Sequence, residues 1–406
     1  MGRQLYFMII SLGSQFGTTI LIFFFLARIW DVQNFGLFMY FFVVCNLIGI
    51  VVDYGFSLKL VKDISRCNFE DRNKLISDSF IAKLILSLLV ILVFLVYLFF
   101  SNYLVREKII FICMFFSSIF TSFSQFLLLP FRGINKFNIE AKANIIINFV
   151  FLIVTFSLVW LKADILSMAI GFFIAKLIGQ IIVYIIFKKY FSLNINIKLL
   201  NYSKYISILK YNFPYAIQLF VSSLYFQIDT VFVKNMLGNY SVGLHQSVMK
   251  IISGMLMFTG VFSNVYLPYI SKIKNQKIIY WKNRRITIYV SVLGLFLYLS
   301  VFLLSEKLVL CLFGKQYIEA VDLLKFASLI IFIRYVGLTY SVLLTVLDKQ
   351  KLRAIAVIVA FVINIILNAT LIPIYGLVGA FTSAIITGII LNIIYYVMVK
   401  RAFKFN

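Results

Sequence analysis

Residues 141–189 read AKANIIINFVFLIVTFSLVWLKADILSMAIGFFIAKLIGQIIVYIIFKK. Two apolar runs, 141–161 and 164–187, are parted by little more than Lys162 and Ala163, and Lys188-Lys189 close the second. A bilayer core about 30 Å thick takes about twenty apolar residues per helix. Each run therefore crosses a membrane. The same reading extends in both directions, with spans near 5–27, 36–55, 78–100, 109–130, 213–236, 241–267, 286–305, 322–346, 353–373 and 376–399. The expected fold class is an all-α polytopic membrane protein of about 12 transmembrane helices. Little of the 406 residues remains for a soluble domain, so function must lie in the membrane or at its two faces.

Composition agrees, with 63% hydrophobic residues and a mean hydropathy of +1.03. A net charge of +24 would suggest nucleic acid in a soluble protein. Here the basic residues sit in short gaps beside the spans, where they orient the chain and meet anionic headgroups. Nucleic acid is excluded as a partner. Cys45, Cys67, Cys113 and Cys311 form no CxxC pair and His245 is the lone histidine, so no metal site or cofactor is expected. The first span is too long for a signal-peptide core and reads as an uncleaved helix. Pro130, Pro268 and Pro373 are expected at helix ends and Pro214 in a first turn, where a missing N–H costs little.

Positive charge collects in every second gap. Lys59, Lys62, Arg66, Arg72 and Lys74 follow the second span, Arg132 and Lys136 the fourth, and Lys188, Lys189, Lys198, Lys204 and Lys210 the sixth. Lys272, Lys274, Lys277, Lys282, Arg284 and Arg285 follow the eighth, and Lys349, Lys351 and Arg353 the tenth. Lys400, Arg401 and Lys404 close the chain. The division is roughly 26 against 8 on the other side, with four inside spans, which places both termini in the cytoplasm.

The chain also resembles itself. Phe35-Gly36-Leu37 opens the second span as Val242-Gly243-Leu244 opens the eighth, about 207 residues on, and Gly171 aligns with Gly379 at about the same offset. Six spans per half give both halves one orientation. The expected domains are a bundle over 1–190, a cytoplasmic linker over 191–210 and a bundle over 211–406, related by an axis along the membrane normal with a cavity between them.

Ionisable groups in spans face cavities or partners. Arg334 lies near the middle of the tenth span, with Ala327, Gly337 and Ser341 on its face, which suggests close packing or a lumen. Lys176 lies at similar depth in the sixth span, and neither cation has an acidic partner in its own or an adjacent span. Lys250 shares the most polar face, with Gln246, Ser247 and Ser253. Asp229, at about the depth of Lys250, is open to two readings: a structural ion pair with that lysine, or a coupling group. Asp53 ends the second span. Lys83, in the first turns of the third, is expected to snorkel to the interface. His245 reads as structural.

Four segments carry a resemblance: Ala27-Arg28 followed by Asn34-Phe35-Gly36-Leu37; Asp53-Tyr54-Gly55-Phe56-Ser57; Asp229 followed by Val242-Gly243; and Asn364 through Asn368, then Ile372-Pro373-Ile374-Tyr375-Gly376-Leu377-Val378-Gly379-Ala380. In order and spacing they resemble the O-antigen (Wzx-type) flippases of the multidrug/oligosaccharidyl-lipid/polysaccharide (MOP) exporter superfamily. The resemblance implies a MATE-like fold of two pseudo-symmetric six-helix bundles in a bacterial inner membrane. It implies transport with no enzymatic step: an undecaprenyl-pyrophosphate-linked oligosaccharide moved from cytoplasmic to periplasmic leaflet by alternating access. It further implies membrane lipids as surroundings, a proton or sodium as coupling ion, and a polysaccharide polymerase and chain-length regulator as partners in lipopolysaccharide synthesis.

Arg334, Lys176 and Lys250 supply cations for a pyrophosphate, and Arg28 joins them at the first external turn. Amides such as Gln15, Asn46, Gln125, Gln218 and Gln227 suit a glycan. The lipid tail needs no pocket if it stays in the bilayer. Asp229 and Asp53 are the acidic candidates for ion coupling or a structural pair. Two other functions fit the same span pattern. A drug or cation exporter of the same superfamily would favour an acidic cavity. A membrane-embedded polymerase would need acidic or other catalytic groups in substantial loops, and no Asp or Glu lies between Lys188 and Lys210.

Overall fold

The computed structural model describes residues 2–193, 202–271, 273, 275–347 and 349–403. Spans in lipid have no water to satisfy their backbone, so they are helices. In chain order these are α1 (Gly2–Ile29), α2 (Val32–Asp53), α3 (Phe56–Arg66), α4 (Phe69–Phe100), α5 (Val105–Gly133), α6 (Phe137–Trp160) and α7 (Ile165–Lys188). Then follow α8 (Tyr202–Ser271), α9 (Gln276–Leu303), α10 (Ser305–Leu312), a 3₁₀ turn, α11 (Ala320–Ala327), α12 (Leu329–Val346) and α13 (Gln350–Ala402). Among the described residues nine helical segments are long and apolar enough to cross a bilayer, and Gly13–Ile29 is a shorter apolar stretch. α8 and α13 each break at a glycine, Gly238 with φ 84° and Gly376 with φ 58°, and so supply two spans apiece. Every expected span is accounted for. The breaks need glycine because a Cβ disfavours left-handed φ.

Several boundaries differ from the hydropathy reading, which sees only the apolar part of a helix. α4 starts at Phe69 rather than 78, and α8 is helical from Tyr202, so Pro214 lies well inside it instead of in its first turn. Pro130 and Pro373 are likewise inside α5 and α13. The expected linker over 191–210 is helical from 202 on, and its 194–201 portion lies outside the described residues, as do Lys198, Lys272, Lys274 and Lys404. The side chain of Pro268 lies outside them too. α3 was too short to read as a span. It is amphipathic: Phe56, Leu60 and Ile64 recur every four residues and are buried.

The chain divides into two compact units. One comprises Met1–Ile22 and Phe41–Ser223; the other comprises Phe23–Tyr40 and Leu224–Asn406. The first packs around Leu60, Ile64, Phe126, Phe131 and Phe187. The second packs around Tyr225, Tyr266, Leu343, Ala360 and Tyr395. In the second unit Gly36 meets the start of the eighth span. A Cβ on Gly36 would sit 1.9 Å from the Asn239 carbonyl oxygen, and one on Gly243 would sit 2.2 Å from that of Val32. The two glycine motifs that suggested an internal repeat therefore pack against each other, backbone to backbone.

In the first unit Asp164 starts α7. Its carboxylate accepts from Ser167 N at 3.0 Å and from the Arg106 guanidinium at 2.5 Å. The Ser167 bonds first, then Arg106, hold this carboxyl below its ordinary value of 3.8. A group depressed in the folded state stabilises above its unfolded value, and that contribution is lost as pH falls through the folded value. Asp164→Ala should cost about 1 kcal/mol at neutral pH through loss of the cap. The gap in unfolding temperature between variant and parent should narrow as pH is lowered to about 3, and a gap that widens there would contradict the assignment.

Candidate functional site

The second unit holds a polar cluster among apolar spans. On α8, Tyr225, Phe226 and Asp229 share roughly one turn, and on α13 Asn364 and Asn368 lie four residues apart on one face. Arg334 projects from α12. Its Cζ lies 4.2 Å from the Phe226 ring centroid and 4.8 Å from that of Tyr225. Cation–π contact at two rings holds the guanidinium in place without consuming its N–H donors. Asp229 is 4% exposed. Asn368 Nδ2 donates to its Oδ1 at 2.6 Å, and Asn364 also reaches the carboxylate. Arg334 lies near enough to favour the carboxylate's charge without forming a direct ion pair. Tyr225 Oη donates to Thr387 Oγ1 at 3.5 Å. Phe226, Asp229, Arg334, Asn364 and Thr387 border a cavity of about 20 Å³, room for one water or one small cation. A buried carboxylate is costly unless compensated, and two amides with a nearby cation offset part of that cost here.

These distances revise the reading of partners. The seventh and tenth spans are distant in sequence but neighbours in space, so Arg334 does have an acidic neighbour. Lys250 is not the partner of Asp229: its Nζ lies 4.7 Å from the Phe23 centroid. Nor is there a lumen at Gly337, where a Cβ would meet Asn392 Oδ1 at 1.9 Å. Asn392 Nδ2 donates to the Ile333 carbonyl at 2.7 Å, so the small residue serves helix packing. His245 is buried and stacks on Phe381, with centroids 5.0 Å apart.

The first unit has its own polar stripe. Lys176 Nζ lies 4.0 Å from the Phe151 centroid. On α6 and α7, the helices that carry Phe151 and Lys176, Asn148 Nδ2 donates to Ser14 Oγ at 3.1 Å, Asn144 Oδ1 accepts from Gln125 Nε2 at 3.4 Å, and Gln180 Oε1 accepts from Ser124 Oγ at 2.6 Å. Gln218 in this unit and Gln227 in the other are half-buried, with no hydrogen-bond partner among the described residues. Asn46 donates to the Phe42 carbonyl one turn back at 2.7 Å.

Two motif residues and one buried lysine have partners in the fold. Arg28 donates to the Cys311 carbonyl in the last turn of α10, while Gln316 Nε2 donates to the carbonyls of Ala27 and Trp30 at 2.6 and 2.8 Å. Each segment thus closes the other's open helix end. Asp53 Oδ2 accepts from Ser57 Oγ at 2.7 Å, across a corner where Tyr54 and Gly55 both have positive φ. Lys83 does not snorkel. It is fully buried, donating to the Val52 carbonyl at 3.1 Å and to Ser122 Oγ at 2.8 Å. It faces the end of α2 and the body of α5 rather than lipid, and supplies a cation where the α2 dipole is negative.

Together these features define a polytopic membrane protein with isolated polar groups inside each unit and a MATE-like fold. Its fold is similar to that of the lipid II flippase MurJ in an inward closed conformation, with a TM-score of 0.75 at 19% identity over 97% of this chain and 87% of that one. It is also similar to an inward-facing multidrug resistance MATE family transporter, with a TM-score of 0.72 at 13% identity over 95% and 93% of the two chains. The family model described as polysaccharide biosynthesis protein matches residues 2–274, and the chain belongs to that family. The capsular polysaccharide biosynthesis protein CapF of Staphylococcus aureus is 27% identical over 258 residues, 62% of this chain. The match spans 64% of CapF, less than two thirds of its length.

Proposed function

We propose that this protein is a flippase for undecaprenyl-pyrophosphate-linked oligosaccharide repeat units, moving them from the cytoplasmic to the periplasmic leaflet of the inner membrane by alternating access. The observation that carries the reading is Arg334, a permanent cation fixed inside a membrane span by two aromatic rings, with its N–H fork free to take an anion. Lys176 and Lys250 are further cations for the pyrophosphate. The Asn, Gln and Ser stripe of the first unit, with Gln218 and Gln227, offers the donors and acceptors a glycan needs. Asp229, held by Asn364 and Asn368 beside a cavity of about 20 Å³, is the site for a coupling proton or sodium ion. Arg28 and Asp53 serve the fold through the caps described above. The working halves are residues 1–190 and 211–406, joined at 191–210, with both termini in the cytoplasm.

The test is transport itself. Purified protein in vesicles should expose a lipid-linked oligosaccharide on the opposite leaflet faster than empty vesicles, and faster still under a proton or sodium gradient. Transport of organic cations with no movement of lipid-linked glycan would replace this reading with that of a drug exporter.

A further inference from the structure

A groove about 330 Å³ in volume runs along the second unit between the second arm of α8 and α9. Its walls are two helix faces of matching period: Phe262, Tyr266 and Tyr269 on α8, and Ile286, Tyr289 and Leu293 on α9. The surface is apolar along its length and opens sideways. At its basic end stand two cations, each engaged by a wall tyrosine. Lys282 Nζ donates to Tyr269 Oη at 3.2 Å, and Arg285 Nε donates to Tyr289 Oη at 3.3 Å. Lys282 and Leu293 lie eleven residues apart on α9, so the walls extend about 16 Å below the charges.

The groove is preformed. Tyr266 is 3% exposed and its hydroxyl donates to Asn283 Oδ1 at 2.6 Å. Asn283 Nδ2 donates to Thr287 Oγ1 at 3.5 Å, and Thr287 shares a hydrogen bond with Thr339 at 2.7 Å. This chain of bonds ties the groove wall to α12, the helix that carries Arg334. On the same side Gly294 packs against Tyr335 so closely that a Cβ would lie 2.5 Å from the tyrosine Cβ. Beyond its role in orienting the chain, the charge at 282–285 therefore tops a shaped apolar slot.

We infer that this groove binds the chain of a polyisoprenoid phosphate, with the phosphate at Lys282 and Arg285. Two fixed cations at headgroup depth suit a phosphate, because charge-assisted bonds from a guanidinium and an ammonium are strong and directional. Walls of four aromatic rings suit a methyl-branched, unsaturated chain that makes many edge and face contacts. The ligand class follows from the flippase reading. The tail then has a seat of its own, where the sequence reading expected it to need none.

The probe is undecaprenyl phosphate carrying a diazirine on its chain, added to the full-length protein in nanodiscs and mapped by peptide mass spectrometry after illumination. Labels should concentrate on 262–269 and 286–293. Excess unlabelled undecaprenyl phosphate should remove them and equal phosphatidylglycerol should not. Lys282→Ala with Arg285→Ala should lower labelling at least about tenfold. Both side chains are exposed, so the variant keeps its packed core. Leu293→Trp, which fills the slot and leaves the charges, should also lower it. Labels spread evenly over the lipid-facing helices, equal competition by phosphatidylglycerol, or unchanged labelling in these variants would each overturn the inference. The probe bears no glycan. Failed flipping with intact groove labelling would thus count against the transport reading alone.

Discussion

Arg334→Ala should reduce flipping at least about tenfold while the protein still reaches the membrane. Each charge-assisted hydrogen bond contributes roughly 1.5–3 kcal/mol, and the guanidinium offers two in parallel. Arg334→Lys should retain part of the activity, because the charge persists but the fork is gone. The alanine variant also leaves Asp229 without its nearby cation, so stability must be separated from binding. The double variant Arg334→Ala/Asp229→Asn removes both charges and should regain thermal stability. It should still bind lipid-linked pyrophosphate at least about tenfold more weakly than the parent. Undiminished binding by that double variant would show that Arg334 only braces Asp229.

Gly36→Ala should be the most damaging small substitution. The added methyl would meet the Asn239 carbonyl oxygen at 1.9 Å, and backbone cannot rotate away as a side chain can. The helices must part, at a cost of about 1–3 kcal/mol or more. Gly260→Ala is the matched control: nothing lies within 4 Å of its Cβ position, and alanine favours helix. Unfolding temperatures of the two purified variants should diverge, with the Gly36 variant well below the parent. Equal stability would mean that the two glycine motifs do not hold this contact.

The spans were legible because lipid imposes a length and a composition on each helix, and Arg334 and Asp229 stood out as charges where charge is costly. Their proximity was not legible. It depends on which spans are neighbours, and hydropathy carries no such information. Asn364 and Asn368 did leave a signal, two amides four residues apart in an apolar run, but it entered only through a family motif. Lys83 was misread because a lysine near a helix end has two outlets, the interface or a neighbour's carbonyl, and only packing decides between them. Gly337 left two readings open, close packing or a lumen, and only the position of Asn392 decides for packing.

The buried Lys83 also bears on how the chain is made. Spans leave the ribosome in order, and a lysine charge buried away from water is costly until its partners are in place. Its first partner, the Val52 carbonyl, has already emerged when the third span arrives. Its second, Ser122, is still being synthesised. The third span therefore enters the bilayer leaning on the second, and its charge is fully accommodated only after the fourth has docked. Biogenesis of this half is sequential by chemistry: a nascent chain halted between the third and fourth spans holds a lysine with one of its two partners.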